Sequence, residues 1–352
     1  MDIRQILKRH KEKIDAKLEE FLDEKLKKSE KVSKSAKEVM ECIKEFNLRN
    51  GKRLRPILTI LSYMAFGGKK SSILDAALAV ELMESYLLIH DDIIDQDEFR
   101  RGYLTFHKIY ENKAKKKNIP SQRYGESMAI IAGDILSSLG SEAILGSDFP
   151  LKKKIKALEK FNKVMVNTCF GQILDMDYIH TSNISEKDVL RLQELKTAIY
   201  TIDGPLQIGA ILAGASEKKL KLLTEFAIPL GKAFQIKDDI LGVFGDKKTI
   251  GKPNDSDIKE GKKTLLIVKA LEKSNYEEKK NILKSLGNKG LKSEELEKIK
   301  KIIFKTGSLD YSKKVAENLI SQAKINLKKL NLKKDYEKIL DSLADYILGR
   351  EF

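Results

Sequence analysis

Apolar residues recur at steps of three and four from the start of the chain, as in Ile14, Leu18, Phe21, Leu22 and Leu26, and strand-like alternation is convincing nowhere. That pattern confines the chain to helices, each hiding an apolar stripe against a neighbour. Glycine, proline and polar clusters punctuate it near 47–51, 67–72, 115–123, 146–150, 181–185, 245–261, 286–290 and 306–308. Short breaks between long helices predict one all-α domain over residues 1–352. A hydrophobic content of 41% can fill a large core, and the small apolar run 204–214 reads as a helix buried among others.

Within this background stand two acidic clusters, Asp91-Asp92-Ile93-Ile94-Asp95 and Asp238-Asp239-Ile240-Leu241-Gly242. Residues i and i+4 share a helix face, so Asp91 and Asp95 project side by side while Asp92 turns roughly 100° away. Carboxylates about 4 Å apart repel by about 4 kcal/mol at an effective dielectric of about 20. Their co-location therefore asks for a cation, raised pKa values, or both. All-oxygen donors suit a hard ion, and Mg²⁺ takes one or two carboxylates and completes its shell with water and phosphate oxygens.

Cations surround these acids. Arg100-Arg101-Gly102 follows the first cluster, so a helix ending near Gln96 would bring a guanidinium pair to a diphosphate, whose geometry Arg forks match. A surface helix with ordinary ion pairs is the alternative, opposed by the apolar Leu87, Leu88 and Ile89. Upstream, Gly51-Lys52-Arg53-Leu54-Arg55-Pro56 precedes an apolar helix and makes a candidate anion site, or else a basic helix start on the surface. Leu195-Lys196-Thr197-Ala198 sets a cation beside a hydroxyl, and Gln235 precedes the second cluster. Gly251-Lys252-Pro253 and Glu260-Gly261-Lys262-Lys263-Thr264 form a segment able to close lysines over phosphate, with a plain surface loop as the alternative.

Taken in order, these stations resemble the trans-isoprenyl diphosphate synthases of the polyprenyl synthetase family, and most closely the archaeal geranylgeranyl and farnesyl diphosphate synthases. The resemblance implies the isoprenoid synthase fold, a single-domain bundle of long helices around a deep central cavity, in a homodimer. It implies Mg²⁺ held by Asp91, Asp95 and Asp238, with Asp92 and Asp239 in support. Arg100, Lys196 and Lys252 match residues that hold the allylic diphosphate, and Lys52, Arg55 and Arg101 match those that hold isopentenyl diphosphate. Thr197 and Gln235 correspond to oxygens beside the reacting carbon, and Lys262 to the lysine of the closing loop. The implied partners are isopentenyl diphosphate and the dimethylallyl, geranyl and farnesyl diphosphates.

Two positions depart from the family pattern. Glu84 stands seven residues before Asp91, where the family usually has His or Gln, and its charge would repel isopentenyl diphosphate unless protonated or paired with Arg55. Gly242 replaces the last Asp of the second cluster, leaving Asp238 to face the metal, with Asp246 further on. One turn deeper than Asp91, the bulky Tyr86 and moderate Leu87 resemble a cavity floor that limits the product to farnesyl or geranylgeranyl length (C15–C20), geranylgeranyl being favoured. His90 beside Asp91 reads as a neutral or ion-paired helix residue, not as a base.

Other readings stay open. A terpene cyclase on the same fold would have no use for Lys52 and Arg55, and a noncatalytic or regulatory synthase subunit would not need Arg100, Arg101, Lys196 and Lys252 intact. The net charge of +15 also suits nucleic acid, but the absence of Trp and of a stacking platform argues against it. The Lys-rich stretch 269–338 reads as solvated helix faces, with at most peripheral membrane contact. Cys42 and Cys169 read as reduced packing residues, and the charged N-terminus predicts a cytoplasmic chain.

Overall fold

The computed structural model describes residues 3–245 and 256–348 and is almost wholly helical. In chain order come α1 (Ile3–Glu30), α2 (Lys34–Leu48), α3 (Leu54–Ala65), α4 (Ile73–Ile94), α5 (Phe106–Lys115), α6 (Ser121–Gly146), α7 (Leu151–His180), α8 (Glu186–Gln193), α9 (Gly204–Ala213) and α10 (Glu217–Phe244). A π-helical segment, Glu194–Asp203, joins α8 to α9. Further helices follow at Ser256–Lys259, Leu265–Lys273, Tyr276–Ser285, Ser293–Lys305, Ser308–Lys329 and Lys334–Leu348.

The chain groups into two compact units, one of Met1–Phe161 with Ile208–Ala215, the other of Asn162–Gln207 with Ser216–Phe352. In the first, α4 packs on α3 and α6, α6 on α5, and α1 on α2. Helix α4 is apolar on nearly every side along its first half, and Ala76 to Met83 are all buried, as expected of a central helix. A β-carbon on Gly209 would stand 2.1 Å from the Thr59 carbonyl oxygen. The run of small residues there is thus explained by backbone-to-backbone approach of α9 to α3. In the second unit, α10 packs against the π segment and Ser308–Lys329.

Caps fix several helix starts. The Ser33 hydroxyl accepts from Ala36 N at 3.0 Å to begin α2, and Ser185 with Asp188 closes a capping box on α8. Strand structure among the described residues is a hairpin the periodicity did not reveal: β1 (Phe99–Arg100) pairs antiparallel with β2 (Tyr103–Leu104). Its two turn residues have positive φ, Arg101 at 55° and Gly102 at 82°, the conformation a two-residue hairpin loop requires. Two-residue strands are too short for alternation to register. Among the described helices, α6 is long and apolar enough by composition to cross a membrane, yet it packs against α4 and α5.

Candidate functional site

Helix α4 ends at Ile94, and Asp95 is its C-cap with helical backbone angles, so the i, i+4 relation of Asp91 and Asp95 holds. Asp91 and Asp95 are half-buried. Asp92 points inward, is fully buried and pairs with Arg100, whose Nε donates to Oδ1 at 2.5 Å and whose Nη2 reaches Asp97 at 3.5 Å. Burial opposes the charge on Arg100, and the carboxylates of Asp92, Asp91 and Asp97 overcome that opposition, holding the guanidinium above the ordinary arginine value. The hairpin is therefore tied to the first aspartate cluster through a buried ion pair.

The basic turn before α3 is built around Arg53, a non-glycine residue at φ 51°. Its guanidinium is buried and committed three ways: Nε to Asp15 at 2.6 Å, Nη2 to the Asn47 carbonyl at 2.6 Å, and Nη1 to Glu81. Burial, then the neighbouring Glu84, pushes the Glu81 carboxyl above its ordinary value. Lys52 is exposed, while Arg55 is buried and meets Glu84, Nη1 to Oε1, at 2.8 Å. Arg101 reaches the same oxygen at 3.6 Å. Gly51 belongs here for a steric reason, since a β-carbon would lie 2.9 Å from Arg101 Nη1 and 3.2 Å from Arg53 Nη1. The pairing of Glu84 with Arg55 that the sequence raised as one resolution is the arrangement found.

In the second unit the π-helical backbone carries Lys196 and Thr197. Lys196 pairs with Asp175 of α7. Thr197 Oγ1 donates to Gln235 Oε1 at 2.7 Å, Gln235 Nε2 donates to Asp239 Oδ1 at 2.6 Å, and Gln193 Nε2 donates to Asp239 Oδ2 at 3.0 Å. Burial, followed by the charge of Asp257, pushes the Asp239 carboxyl up to about 8. The bulged segment fits because two glycines face it. A β-carbon on Gly171 would stand 2.4 Å from Lys196 N, and one on Gly231 2.5 Å from Ala198 Cα. Such π segments are rare and concentrate at functional sites.

The second cluster has an unforeseen neighbour. Asp257 Oδ2 lies 2.8 Å from where a Gly242 β-carbon would be, so a carboxylate stands beside the position that lacks one. Lys262 pairs with Glu260, and Lys263 Nζ donates to the carbonyls of Tyr178 at 2.7 Å and Ile179 at 3.1 Å, at the end of α7. Lys252 and Asp246 lie outside the described residues. Tyr86 and Leu87 are half-buried on α4. His90 is a packing residue, its ring edge-on to Tyr86 at 4.8 Å and its Nε2 3.2 Å from the Ile130 carbonyl.

Among the described residues no three His, Cys, Asp or Glu side chains close into a preformed metal cage. Mg²⁺ needs none, because it binds through one or two carboxylates and keeps water or phosphate oxygens as the rest of its shell, and Asp91 with Asp95 offer that donor set.

The chain matches the Polyprenyl synthetase family over residues 36–303. It is 39% identical over 305 residues to a geranylgeranyl diphosphate synthase of Sulfolobus acidocaldarius, covering 85% of this chain and 87% of the relative. It is 36% identical over 339 residues to a short chain isoprenyl diphosphate synthase of Methanocaldococcus jannaschii, covering 96% and 94%. The solved geranylgeranyl pyrophosphate synthase of Corynebacterium glutamicum, complexed with isoprenyl diphosphate and magnesium, superposes with a TM-score of 0.93 at 28% identity over 100% of both chains. Its counterpart from Pyrococcus horikoshii gives 0.83 at 32% identity over 99% of both. Aspartate clusters, cationic stations and all-α isoprenoid synthase fold all lie within that similarity: the chain belongs to the polyprenyl synthetase family.

Proposed function

We propose that the chain is a Mg²⁺-dependent prenyltransferase that condenses isopentenyl diphosphate with allylic diphosphates to an all-trans prenyl diphosphate of C15–C20 length, geranylgeranyl being favoured. The observation that carries this reading is the span of the match: likeness to short-chain synthases runs through both aspartate clusters and the basic turn at 51–55. Residues 1–352 act as one catalytic domain in a cytoplasmic homodimer. The dimer is supported by an exposed stripe on α7, where Val166, Phe170, Ile173 and Met176 stand 52%, 54%, 56% and 39% exposed at steps of three and four.

The reaction must break an allylic C–O bond, hold the departing diphosphate, and protect a carbocation from water. Asp91, Asp95 and Asp238 would hold Mg²⁺, which when bound would neutralise charge at the leaving group. Arg100, Lys196 and Lys252 bind the allylic diphosphate and favour the charge it gains as the bond breaks. Lys52, Arg55 and Arg101 grip isopentenyl diphosphate and aim its double bond at the cation. The oxygens of Thr197 and Gln235 face the electron-poor carbon, Lys262 closes over the phosphates, and the released diphosphate takes the proton. Tyr86 and Leu87 limit the tail.

The test incubates purified protein with Mg²⁺, isopentenyl diphosphate and each primer, and reads product length by mass spectrometry. Condensation that stops on chelation of the metal is expected, and no condensation with any primer overturns the proposal.

A further inference from the structure

The pocket proposed for isopentenyl diphosphate contains its own competing anion. Arg55 on α3 and Arg101 in the hairpin turn address one oxygen, Glu84 Oε1, at 2.8 and 3.6 Å. The side chains of Arg55 and Glu84 are only 10% and 13% exposed, so their attraction is weakly screened. Glu84 has little freedom to choose another cation. Glu81, one turn before it on α4, already takes the buried guanidinium of Arg53. On the other side, Gly51 admits the Arg101 guanidinium against the backbone. Two of the three cations proposed for the diphosphate, Arg55 and Arg101, are therefore drawn together around a carboxylate of the protein.

We infer that Glu84 is a carboxylate latch: it occupies the diphosphate's place on Arg55 and Arg101, and the incoming substrate must displace it. The inference rests on the assignment of this pocket to isopentenyl diphosphate. The latch has two effects. It gives the little-exposed guanidinium of Arg55 a carboxylate at 2.8 Å in the empty enzyme. It also sets an affinity threshold that a bidentate, multiply charged diphosphate clears more easily than a singly anchored anion, so specificity comes from competition as well as attraction. Glu84 is thus a specificity-determining residue for the second substrate, and the allylic diphosphate, held by other cations, does not meet it.

Inorganic pyrophosphate, titrated calorimetrically in EDTA to suppress metal-assisted binding, is the probe. Glu84→Gln should bind it about tenfold more tightly, about 1.4 kcal/mol. Its KM for isopentenyl diphosphate should fall by a similar factor, with kcat and the primer KM unchanged. Glu84→Asp keeps the charge but shortens its reach and should fall between; it carries the test if the glutamine variant does not fold. Pyrophosphate affinity that is unchanged or weaker in a variant that still condenses substrates overturns the latch and leaves the prenyl-transfer reading standing. Wild-type protein that neither condenses substrates nor binds pyrophosphate overturns both.

Discussion

Replacing Gly231 with Ala should disable the chemistry while sparing the fold. The added β-carbon would lie 2.5 Å from both Cα and Cβ of Ala198 and 3.2 Å from its carbonyl oxygen. Carbon atoms rest at about 3.5–4.0 Å, so the π segment and α10 must separate by about 1 Å, because backbone on both sides leaves no flexible side chain to yield. Overpacking of this kind costs about 1–3 kcal/mol, which a chain with so large a core survives. The chemistry is less tolerant. Ala198 follows Thr197, Gly231 stands one turn before Gln235, and the bond between those two side chains is 2.7 Å. Misplacing a reacting group by about 1 Å costs about a hundredfold in rate, so kcat should fall by about that factor with a thermal midpoint only a few degrees lower. Initial rates with labelled isopentenyl diphosphate, alongside calorimetric unfolding, measure both. Gly146→Ala is the control, since no atom lies within 4 Å of its added carbon. A kcat for Gly231→Ala within about threefold of wild type refutes the claim that the π segment sets the position of Lys196 and Thr197.

Other outcomes follow from single side chains. Tyr86→Ala should lengthen the product, and an unchanged chain-length distribution by mass spectrometry removes Tyr86 from the cavity floor. Phe170→Asp, on the exposed stripe of α7, should convert dimer to monomer in sedimentation velocity. Lys115 and Lys108 hold the Glu111 carboxyl down to about 2. Its pairing therefore stabilises the fold fully above the ordinary glutamate value and is lost as pH falls through about 2. The difference in urea midpoint between wild type and Glu111→Gln should accordingly be largest above pH 5 and shrink towards pH 2, and a constant difference contradicts the assignment.

What could be read from the sequence was whatever lies within one helix. The apolar steps gave the helices, and the breaks at 47–51, 67–72 and 146–150 fall where α2, α3 and α6 end. Asp91 and Asp95 could be paired because four residues on one helix fix their geometry. Contacts between elements left no such trace. Asp175 meets Lys196 across 21 residues of chain, and Gly171 and Gly231 serve a π segment whose longer period is invisible in a stretch as short as Leu195-Lys196-Thr197-Ala198. The link from Thr197 through Gln235 to Asp239 ties two residues that carry little signal singly to the conspicuous second cluster, and no spacing announces it. Glu84 lies between these cases: its charge was conspicuous, but its sharing by Arg55 and Arg101 depends on how α3, α4 and the hairpin meet.

The tether of Arg53 bears on where this enzyme can be cut. The family match begins at residue 36, which would make α1 a dispensable leader. Yet Asp15, in the middle of α1, holds the guanidinium of the left-handed residue that turns the chain between Lys52 and Arg55. A fragment trimmed to the family boundary would keep every residue assigned to substrate and lose a carboxylate that fixes the shape of the turn presenting two of them. Trimming at residue 36 is therefore expected to loosen the turn at Arg53 although Lys52 and Arg55 themselves remain.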